Sequence, residues 1–489
     1  MTDYGFWSLV PPVIAIALAI RTRQVYISLG LGIWAGWMII KRGNLLSGSA
    51  AAVTAIVDVF KTEGNTQTIL FTLLIGSLIA FMQRSGGVNG FTALIYSRLQ
   101  NRKQSSRRVQ LWAALTGLII FVESNISALT VGTLFRPLTD RLKISREKLA
   151  YLADSTSAPS SILIPLNAWG GFIMGLLLVQ GFDQPFLTLL SAMPFNIYPM
   201  LAVIIVFVII RTGRDFGPMK KAERRAREEG KPIRDGATPM VSSEITMMEA
   251  KKDSPERAIN MLLPVGIMVL AMPVMLVCTG WNNVEPGATT SFIDHSLQAV
   301  SNSSGAKSVL YSVLISLLIS AVVFRAQKIL NIKELAATAL KGMSGMVSMA
   351  LLMVLAFAIG NLCNEMGTGV YVAGITHRWL SPSLAPLLIF LASCFIAFST
   401  GTSWGTFAIM IAIAVPVAHS MDAHVPLVIA AALSGGVFGD HCSPISDTTL
   451  ISSMASASDH IDHVRTQLPY SLTAGLLTAL VYIILGYII

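Results

Sequence analysis

Apolar stretches of about 16 to 22 residues recur along the whole chain, from Phe6 to Ile489, and each is long enough to cross a bilayer as a helix. Charged residues make up only 12% of the 489 residues, about half the share in a soluble domain. The net charge of +9 does not indicate a nucleic-acid partner, because Lys and Arg lie in short segments between apolar stretches, where they set topology. The sequence therefore predicts an all-α polytopic membrane protein whose surroundings are the lipid bilayer.

The spans form two series of the same order, separated by a charged stretch at 211–257. The first series occupies 1–210 and the second occupies 258–489. Three sets of residues match between the series at a nearly constant offset: Arg84 to Arg98 with Asn364 to Arg378, Pro137 with Pro416, and Asp154 with Asp440. An ordered set of matches of this kind predicts a duplication, as in transporters built from inverted-topology repeats.

Each series contains one long apolar stretch interrupted by polar residues, at 109–137 and 385–417. Each also contains a later stretch with an Asp followed by a helix-breaking Pro, at 149–176 and 425–455. We interpret the first kind as a re-entrant hairpin and the second kind as a discontinuous transmembrane helix.

Charge orients these elements. Suppose that each interrupted stretch leaves the membrane on the side from which it entered. All but five of the 35 Lys and Arg then share one side of the membrane. The exceptions are Lys41, Arg42, Lys61, Lys307 and Arg378. The positive-inside rule makes the richer side the cytoplasm, which predicts a bacterial inner-membrane protein with both termini outside and a solvated cytoplasmic linker at 211–257.

Four acids, Glu123, Asp154, Asp440 and Asp447, lie in apolar surroundings with no Lys or Arg at comparable depth in the sequence. A charge at membrane depth costs at least about 2.5 kcal/mol, so this pattern favours a bound cation. Because a broken helix leaves carbonyl and N–H groups free, Asp154 and Asp440 stand where an ion or an anionic group can bind.

The segment from Gly439 to Thr449 places two carboxylates and four hydroxyls within one transmembrane stretch. Hard cations such as Na⁺ prefer oxygen ligands. The candidate Na⁺ ligands are Asp440, Ser443, Ser446, Asp447 and Thr448, with Asp154, Thr156 and Ser157 in the first series, where Ser160 and Ser161 follow. The alternative is that Ser443, Ser446 and Asp447 only cap the second half of the broken helix.

The hairpin tips form a second candidate group, for substrate binding or gating. Its members are Glu123, Ser124, Asn125, Thr400, Thr402 and Ser403. Small polar residues at such positions can also serve only for close packing of helices. His441 is a candidate proton carrier, because an unperturbed histidine side chain titrates near neutral pH; a purely structural hydrogen bond is the alternative.

The segment Gly439-Asp440-His441-Cys442-Ser443-Pro444-Ile445-Ser446-Asp447-Thr448-Thr449 resembles the signature of the NhaC-type sodium/proton antiporter family. The resemblance implies the fold of elevator-type carriers, with two re-entrant hairpins and two broken helices in a mobile transport domain. It also implies ion-site roles for Asp440, Ser443, Ser446, Asp447 and Thr448, with Asp154 as the repeat-related acid. The His-Cys pair after Asp440 and the long linker depart from the family pattern.

These observations predict a secondary transporter that exchanges Na⁺ for H⁺ by alternating access. The alternative uses the same ion site for coupled transport of a small amino acid or carboxylate. We expect a homodimer, no enzymatic activity and no cofactor, with Na⁺ as the transported or coupling ion. The four cysteines have no metal-ligand spacing, so neither a disulfide framework nor a zinc site is expected.

Overall fold

The computed structural model describes residues 4–22, 24–100, 105–121, 123–239, 250–251, 254–284, 292–368, 371 and 381–489. All regular elements in this part of the chain are helices. Those of the first series and the linker are α1 (Val10–Thr22), α2 (Val25–Ile40), α3 (Leu45–Asp58), α4 (Glu63–Arg84), α5 (Gly87–Gln100), α6 (Ser106–Ile119), α7 (Ser124–Arg141), α8 (Arg146–Ser155), α9 (Ala158–Leu163), α10 (Ala168–Val179), α11 (Pro185–Ala192), α12 (Ile197–Thr212) and α13 (Gly217–Glu228).

The helices of the second series complete the fold. They are α14 (Ile259–Gly280), α15 (Phe292–Ser301), α16 (Gly305–Ala326), α17 (Ile332–Gly345), α18 (Val347–Glu365), α19 (Ala385–Thr400), α20 (Ser403–Ser420), α21 (Val425–Cys442), α22 (Asp447–Ala455) and α23 (His460–Ile488). Nine helices in the described residues are long and apolar enough to cross a membrane, or ten if the bent pair Arg146–Leu163 and Ala168–Val179 is one span. The prediction of an all-α polytopic membrane protein is confirmed. The inverted relation of the two series stays a prediction, and Arg378, where one matched stretch ends, lies outside the described residues.

Both interrupted stretches are pairs of helices that pack against each other, α6 with α7 and α19 with α20. Gly401 ends α19 in the left-handed conformation, with φ of +69°, and its N–H donates to the Ala397 carbonyl. A Cβ at Gly401 would lie 2.7 Å from Ile445 Cγ1. Glycine therefore lets the hairpin tip approach the break between α21 and α22. That each pair is a re-entrant hairpin, which enters and leaves the membrane on the same side, stays a prediction.

The helix breaks follow from local sequence. Helix α8 ends at Ser155, and α9 begins three residues later, at Ala158, with Pro159 in its first turn. Proline's missing N–H leaves no bond unmade there. Helix α21 ends at Cys442, and α22 begins at Asp447 after an extended segment. Ser446 caps α22 by accepting a hydrogen bond from the Thr449 N–H.

The breaks lie between helices of both series. Helix α22 packs against α7 and α8, and α23 packs against α8 and α12. Helix α21 packs against α19, α20 and α9. Acids at the ends of α8 and α21 are therefore surrounded by elements of both halves.

The linker is not simply solvated, which differs from the sequence-based expectation. Helix α13 buries Met219, Ala222 and Ala226 against the core, and Glu223 accepts hydrogen bonds from the Ser145 backbone N–H and hydroxyl at 2.8 Å each. The three apolar residues recur at helical spacing. Two of them are alanines and charged residues surround all three, so the sequence gives little sign that this face is buried. Residues 240–249, 252 and 253 lie outside the described residues.

Candidate ion site

Asp440 lies two residues before the end of α21 and is 2% exposed. One carboxylate oxygen, Oδ2, accepts a hydrogen bond from the Ser403 hydroxyl at 2.9 Å, so a hairpin-tip residue contacts this acid directly. The other oxygen, Oδ1, is buried and has no hydrogen-bond partner among the described residues.

Asp154 lies one residue before the end of α8 and is fully buried. Its Oδ2 accepts hydrogen bonds from two residues of the second half, Thr449 Oγ1 at 3.0 Å and Gln467 Nε2 at 2.7 Å. Its Oδ1 is also buried without a described partner. An unpaired buried carboxylate oxygen is unfavourable, so each acid leaves one acceptor that a cation or a proton can satisfy.

Asp447 is the acid whose charge acts on all three of the others. It is the first residue of α22, and its Oδ1 accepts from the Thr448 N–H at 2.9 Å. Its side chain is exposed in the isolated protein, and its charge repels those of Glu123, Asp154 and Asp440. Asp447 is thus the acid within electrostatic range of each of the other three.

The hydroxyls of the Gly439–Thr449 segment have mixed surroundings. Ser446 caps α22 and lies 3.0 Å from the Thr448 hydroxyl. Ser443 donates to the Phe398 carbonyl at 2.8 Å. The capping alternative thus describes Ser446, and Asp447 also accepts from a first-turn N–H of α22. Ser443 makes no such bond to α22 in the described structure. Their part in binding Na⁺ stays a prediction.

The hydroxyls of residues 156, 157, 160 and 161 all donate to backbone carbonyls. The bonds are Thr156 to Leu152 at 2.7 Å, Ser157 to Asp154 at 3.0 Å, Ser160 to Thr156 at 2.6 Å and Ser161 to Phe121 at 3.3 Å. Each donation uses the hydroxyl proton and leaves oxygen lone pairs. Helix stabilisation accounts for these bonds, and a ligand role for Thr156 and Ser157 stays a prediction.

The first hairpin tip is held by its acid. Glu123 is half-buried and caps α7 by accepting from the Ile126 N–H at 2.7 Å, which is a structural role. It also lines a small apolar cavity with Met82 and Met261. Ser124 is buried, and Asn125 Oδ1 is buried without a described partner.

The second tip contributes less to hydrogen bonding. Thr400 donates to the Ile396 carbonyl at 2.8 Å. Thr402 precedes α20 and makes no capping bond to it through its side chain. Ser403, at the start of α20, donates to Asp440 Oδ2 at 2.9 Å.

His441 points away from its neighbour Asp440 and lies near Asp154. Its Nδ1 is 2.7 Å from the Tyr198 hydroxyl, and its Nε2 is 3.0 Å from Ser155 Oγ and 4.0 Å from Asp154 Oδ2. These contacts fit the structural alternative, because both ring nitrogens already have hydroxyl partners. A role as proton carrier stays a prediction.

A buried lysine lies at the other end of the helix that carries Asp154. Lys148 is on α8, six positions before Asp154, and its side chain is 1% exposed. It forms an ion pair with Asp215 of the linker and lies 5.8 Å from the ring centres of Tyr151 and Tyr470. Because Asp215 balances its charge, Lys148 does not neutralise Asp154.

Two residues that hold Asp154 are absent from the sequence-based candidates. Thr449 is the last residue of the Gly439–Thr449 segment and is not among the predicted ligands. Gln467 stands one position before the apolar run that begins at 468. A glutamine next to a span carries no distinctive signal by itself. Helix α23 begins at His460, so its first polar turns reach the acids.

Comparison with known proteins identifies transporters. The sequence model of the Na⁺/H⁺ antiporter family matches residues 169–487. An uncharacterised protein of Haemophilus influenzae is 31% identical, with 98% of this chain and 91% of that protein covered. A malate-2H⁺/Na⁺-lactate antiporter of Bacillus subtilis is 30% identical over 32% of this chain and 33% of its own length.

A solved transporter has a similar fold. The structure of the Alcanivorax borkumensis YdaH transporter aligns with a TM-score of 0.57 at 14% identity, covering 89% of this chain and 88% of that one. At this identity the similarity concerns the fold alone.

Proposed function

Because this chain belongs to the Na⁺/H⁺ antiporter family, we propose that it exchanges Na⁺ for H⁺ across the membrane by alternating access. Membership of the family makes the protein a secondary transporter rather than an enzyme. The observation that carries the proposal is the pair of buried, unpartnered carboxylate oxygens, Asp154 Oδ1 and Asp440 Oδ1. Each accepts either a cation or a proton, as exchange at one site requires.

Na⁺ is the substrate of this reaction. We assign its binding to Asp440 and Asp154, with Asp447 adding negative charge near both. Mutual repulsion among these carboxylates disfavours the site without a cation. Protons compete with Na⁺ because each protonated acid loses the charge that attracts the ion. The oxygens of Ser443, Ser446, Thr448, Thr156 and Ser157 are the further proposed ligands.

The same proposal includes the architecture inferred from sequence. The two series act as inverted repeats, and the helix pairs 109–137 and 385–417 act as re-entrant hairpins of the moving part. Residues 211–257 face the cytoplasm of a bacterial inner membrane and both termini face outside, as the distribution of Lys and Arg favours. A homodimer remains an expectation.

The test is transport in proteoliposomes with an imposed Na⁺ gradient and an internal pH dye. The wild type should move protons against Na⁺ without any organic solute. Asp440→Asn and Asp154→Asn should abolish this exchange, because asparagine keeps the shape of the side chain and removes its charge. Asp422→Asn is the matched control, since Asp422 is exposed in a turn with φ of 56° that asparagine also adopts.

Two results would contradict the proposal. One is the absence of Na⁺-driven proton movement in the wild type. The other is wild-type Na⁺ affinity in Asp440→Asn, measured as Na⁺-dependent thermal stabilisation. The second measurement separates loss of the ion site from loss of the folded protein.

A second candidate function is Na⁺-coupled exchange of a small carboxylate or amino acid. The similarity to the malate-2H⁺/Na⁺-lactate antiporter favours it, and so does the buried, unpartnered Oδ1 of Asn125 at a hairpin tip. A hydrogen bond to a charged solute contributes about 1.5–3 kcal/mol. Asn125→Ala or Thr402→Ala should then reduce uptake of a labelled solute by about tenfold or more, while leaving solute-free Na⁺/H⁺ exchange measurable.

A further inference from the structure

A chain of polar side chains runs from the surface to Asp154 through helices α22 and α23. His460, which is partly exposed, and His463, which is fully buried, both face the hydroxyl of Ser453. Their Nδ1 atoms lie 3.0 and 2.8 Å from Ser453 Oγ. The other ring nitrogen of His463 contacts Gln467, whose amide reaches Asp154.

The partners fix which atoms of these groups donate. Gln467 Nε2 lies 2.7 Å from both the His441 carbonyl and Asp154 Oδ2, which are acceptors. The amide nitrogen must face them, so Gln467 Oε1 faces His463 at 2.9 Å. His463 Nε2 therefore carries a hydrogen.

The same reasoning applies to His460. Its Nε2 lies 2.6 Å from the Pro444 carbonyl, which can only accept, so this nitrogen also carries a hydrogen. If both rings are neutral, both Nδ1 atoms are acceptors.

Ser453 cannot satisfy two neutral rings. Its single hydroxyl proton faces three acceptors, which are the two Nδ1 atoms and the Thr449 carbonyl at 2.8 Å. Ser453 and His463 are fully buried. One additional proton on either Nδ1 resolves the conflict, because that ring then donates to Ser453 Oγ and Ser453 donates its own proton onward.

We propose that His460, Ser453 and His463 form a proton-binding site that holds one proton beyond the two neutral rings, and that Na⁺ binding at Asp154 expels this proton. This inference rests on the proposed Na⁺/H⁺ exchange. The proton comes from solvent at the partly exposed His460, binds Nδ1 of either ring, and returns to solvent by the same route. Protonation forms an N–H bond at Nδ1 as an O–H bond of hydronium breaks, and transfer between the rings exchanges the O–H proton of Ser453.

Charges around the cluster explain the coupling. Asp154 on α8 is joined to His463 through the Gln467 amide, and His441 and Asp447 lie on the packed elements α21 and α22. The extra positive charge stabilises the buried Asp154 carboxylate when Na⁺ is absent. Na⁺ supplies that charge itself and repels the proton.

Several further charged groups on these elements are held in ion pairs, and Arg465 lines a surface cavity with Glu147 and Asp462. Asp459 and Asp462, at the start of α23, face Arg234 of the linker. Arg146 of α8 pairs with Asp140 and donates to the Ala457 carbonyl. These pairs leave Asp154 and the acids beside it as the groups through which Na⁺ can act on the histidines.

The first test reads the protonation of the histidines in the wild-type protein, and two variants serve only to assign the signals. In wild-type protein labelled with nitrogen-15 histidine and placed in bilayers, solid-state NMR reports the protonation of each ring. Assignments come from His460→Gln and His463→Gln. We expect one doubly protonated ring in the pair at neutral pH without Na⁺, and its loss when Na⁺ is added. Two neutral rings without Na⁺ would overturn the proposal.

The second test counts protons released by Na⁺ in weakly buffered detergent solution. His463→Gln and Ser453→Ala should release about one proton fewer per bound Na⁺ than the wild type, and their Na⁺ affinity should depend correspondingly less on pH. His419→Gln is the control, because His419 lies at the end of α20 beside Phe182. It should match the wild type.

The two tests separate the possible failures. If the wild type binds no Na⁺, the proposed function fails. If the wild type binds Na⁺ and releases protons, but both variants release as many, the proposed function stands and the histidine site is wrong. A variant that retains Na⁺-dependent thermal stabilisation is folded, so its proton count can be interpreted.

Discussion

Gln467 and Asp154 come from opposite halves of the chain and form a hydrogen bond of 2.7 Å, with the glutamine amide as donor. The same nitrogen donates to the His441 carbonyl at 2.7 Å. Gln467 thus joins α23 to both helices whose ends carry the central acids. Two fixed acceptors on one amide hold Asp154 Oδ2 in place and direct its free Oδ1.

Gln467→Leu tests this arrangement. It removes a donor to a buried carboxylate, a bond worth about 1.5–3 kcal/mol, so the anionic form that binds Na⁺ becomes harder to maintain. We expect Na⁺ affinity at neutral pH to fall about tenfold or more, and raising the pH to restore part of the loss. Na⁺-dependent thermal stabilisation measured over a pH series provides the check. Equal affinity in the variant and the wild type at every pH would contradict it.

Lys148→Met should destabilise the folded protein strongly. Lys148 and Asp215 are 1% and 6% exposed, and removing one partner of a buried ion pair costs about 3–5 kcal/mol because the other charge stays buried. The double variant Lys148→Met/Asp215→Leu should be much less destabilised than Lys148→Met alone. Apparent unfolding temperatures in detergent measure both. Additive effects of the two substitutions would argue against the pair.

The docking of the linker on α23 should depend on pH. Burial tends to raise the pKa of Asp459, but hydrogen bonds from the Thr238 and Asp462 N–H groups and the Arg234 charge outweigh it, and the pKa lies below its usual value. The contact is therefore stable above the ordinary Asp range, about pH 4, and is lost as pH falls through the lowered pKa.

Spin labels at Ala237 and Ile461 can follow this contact in a protein whose four native cysteines are replaced. The distance distribution should stay narrow from pH 7 down to about pH 4 and broaden only below it. In Asp459→Asn, which can still cap α23, the distribution should be broad at neutral pH. A narrow distribution in that variant would show that Asp459 does not hold the linker.

Orientation in the membrane can be tested with a pair of single cysteines. Lys61 has a side chain 72% exposed in the segment expected outside, and Glu229 has one 58% exposed in the linker expected inside. An impermeant thiol reagent added to intact cells should label Lys61→Cys and not Glu229→Cys. The reverse pattern would invert the topology derived from the positive-inside rule.

The sequence predicts the membrane fold and the family well, because apolar length and the Gly439–Thr449 motif are strong local signals. It also identifies four acids that the fold brings within range of mutual repulsion. Gln467, Ser453 and His463 could not be predicted, since their relation to Asp154 depends on how α22 and α23 pack. The buried Lys148 was missed for a similar reason: its partner Asp215 lies in a charged stretch that looks solvent-exposed.

The bonds from Thr449 and Gln467 to Asp154 limit which helices can move relative to one another. Helix α8 belongs to the first half, whereas α22 and α23 belong to the second, and their shared carboxylate sits where the two halves meet. Hinging the halves apart at this seam would break the bonds that hold the acid. If Asp154 moves together with these partners during the proposed transport cycle, α8, α22 and α23 move as one body, and any sliding surface lies against other helices.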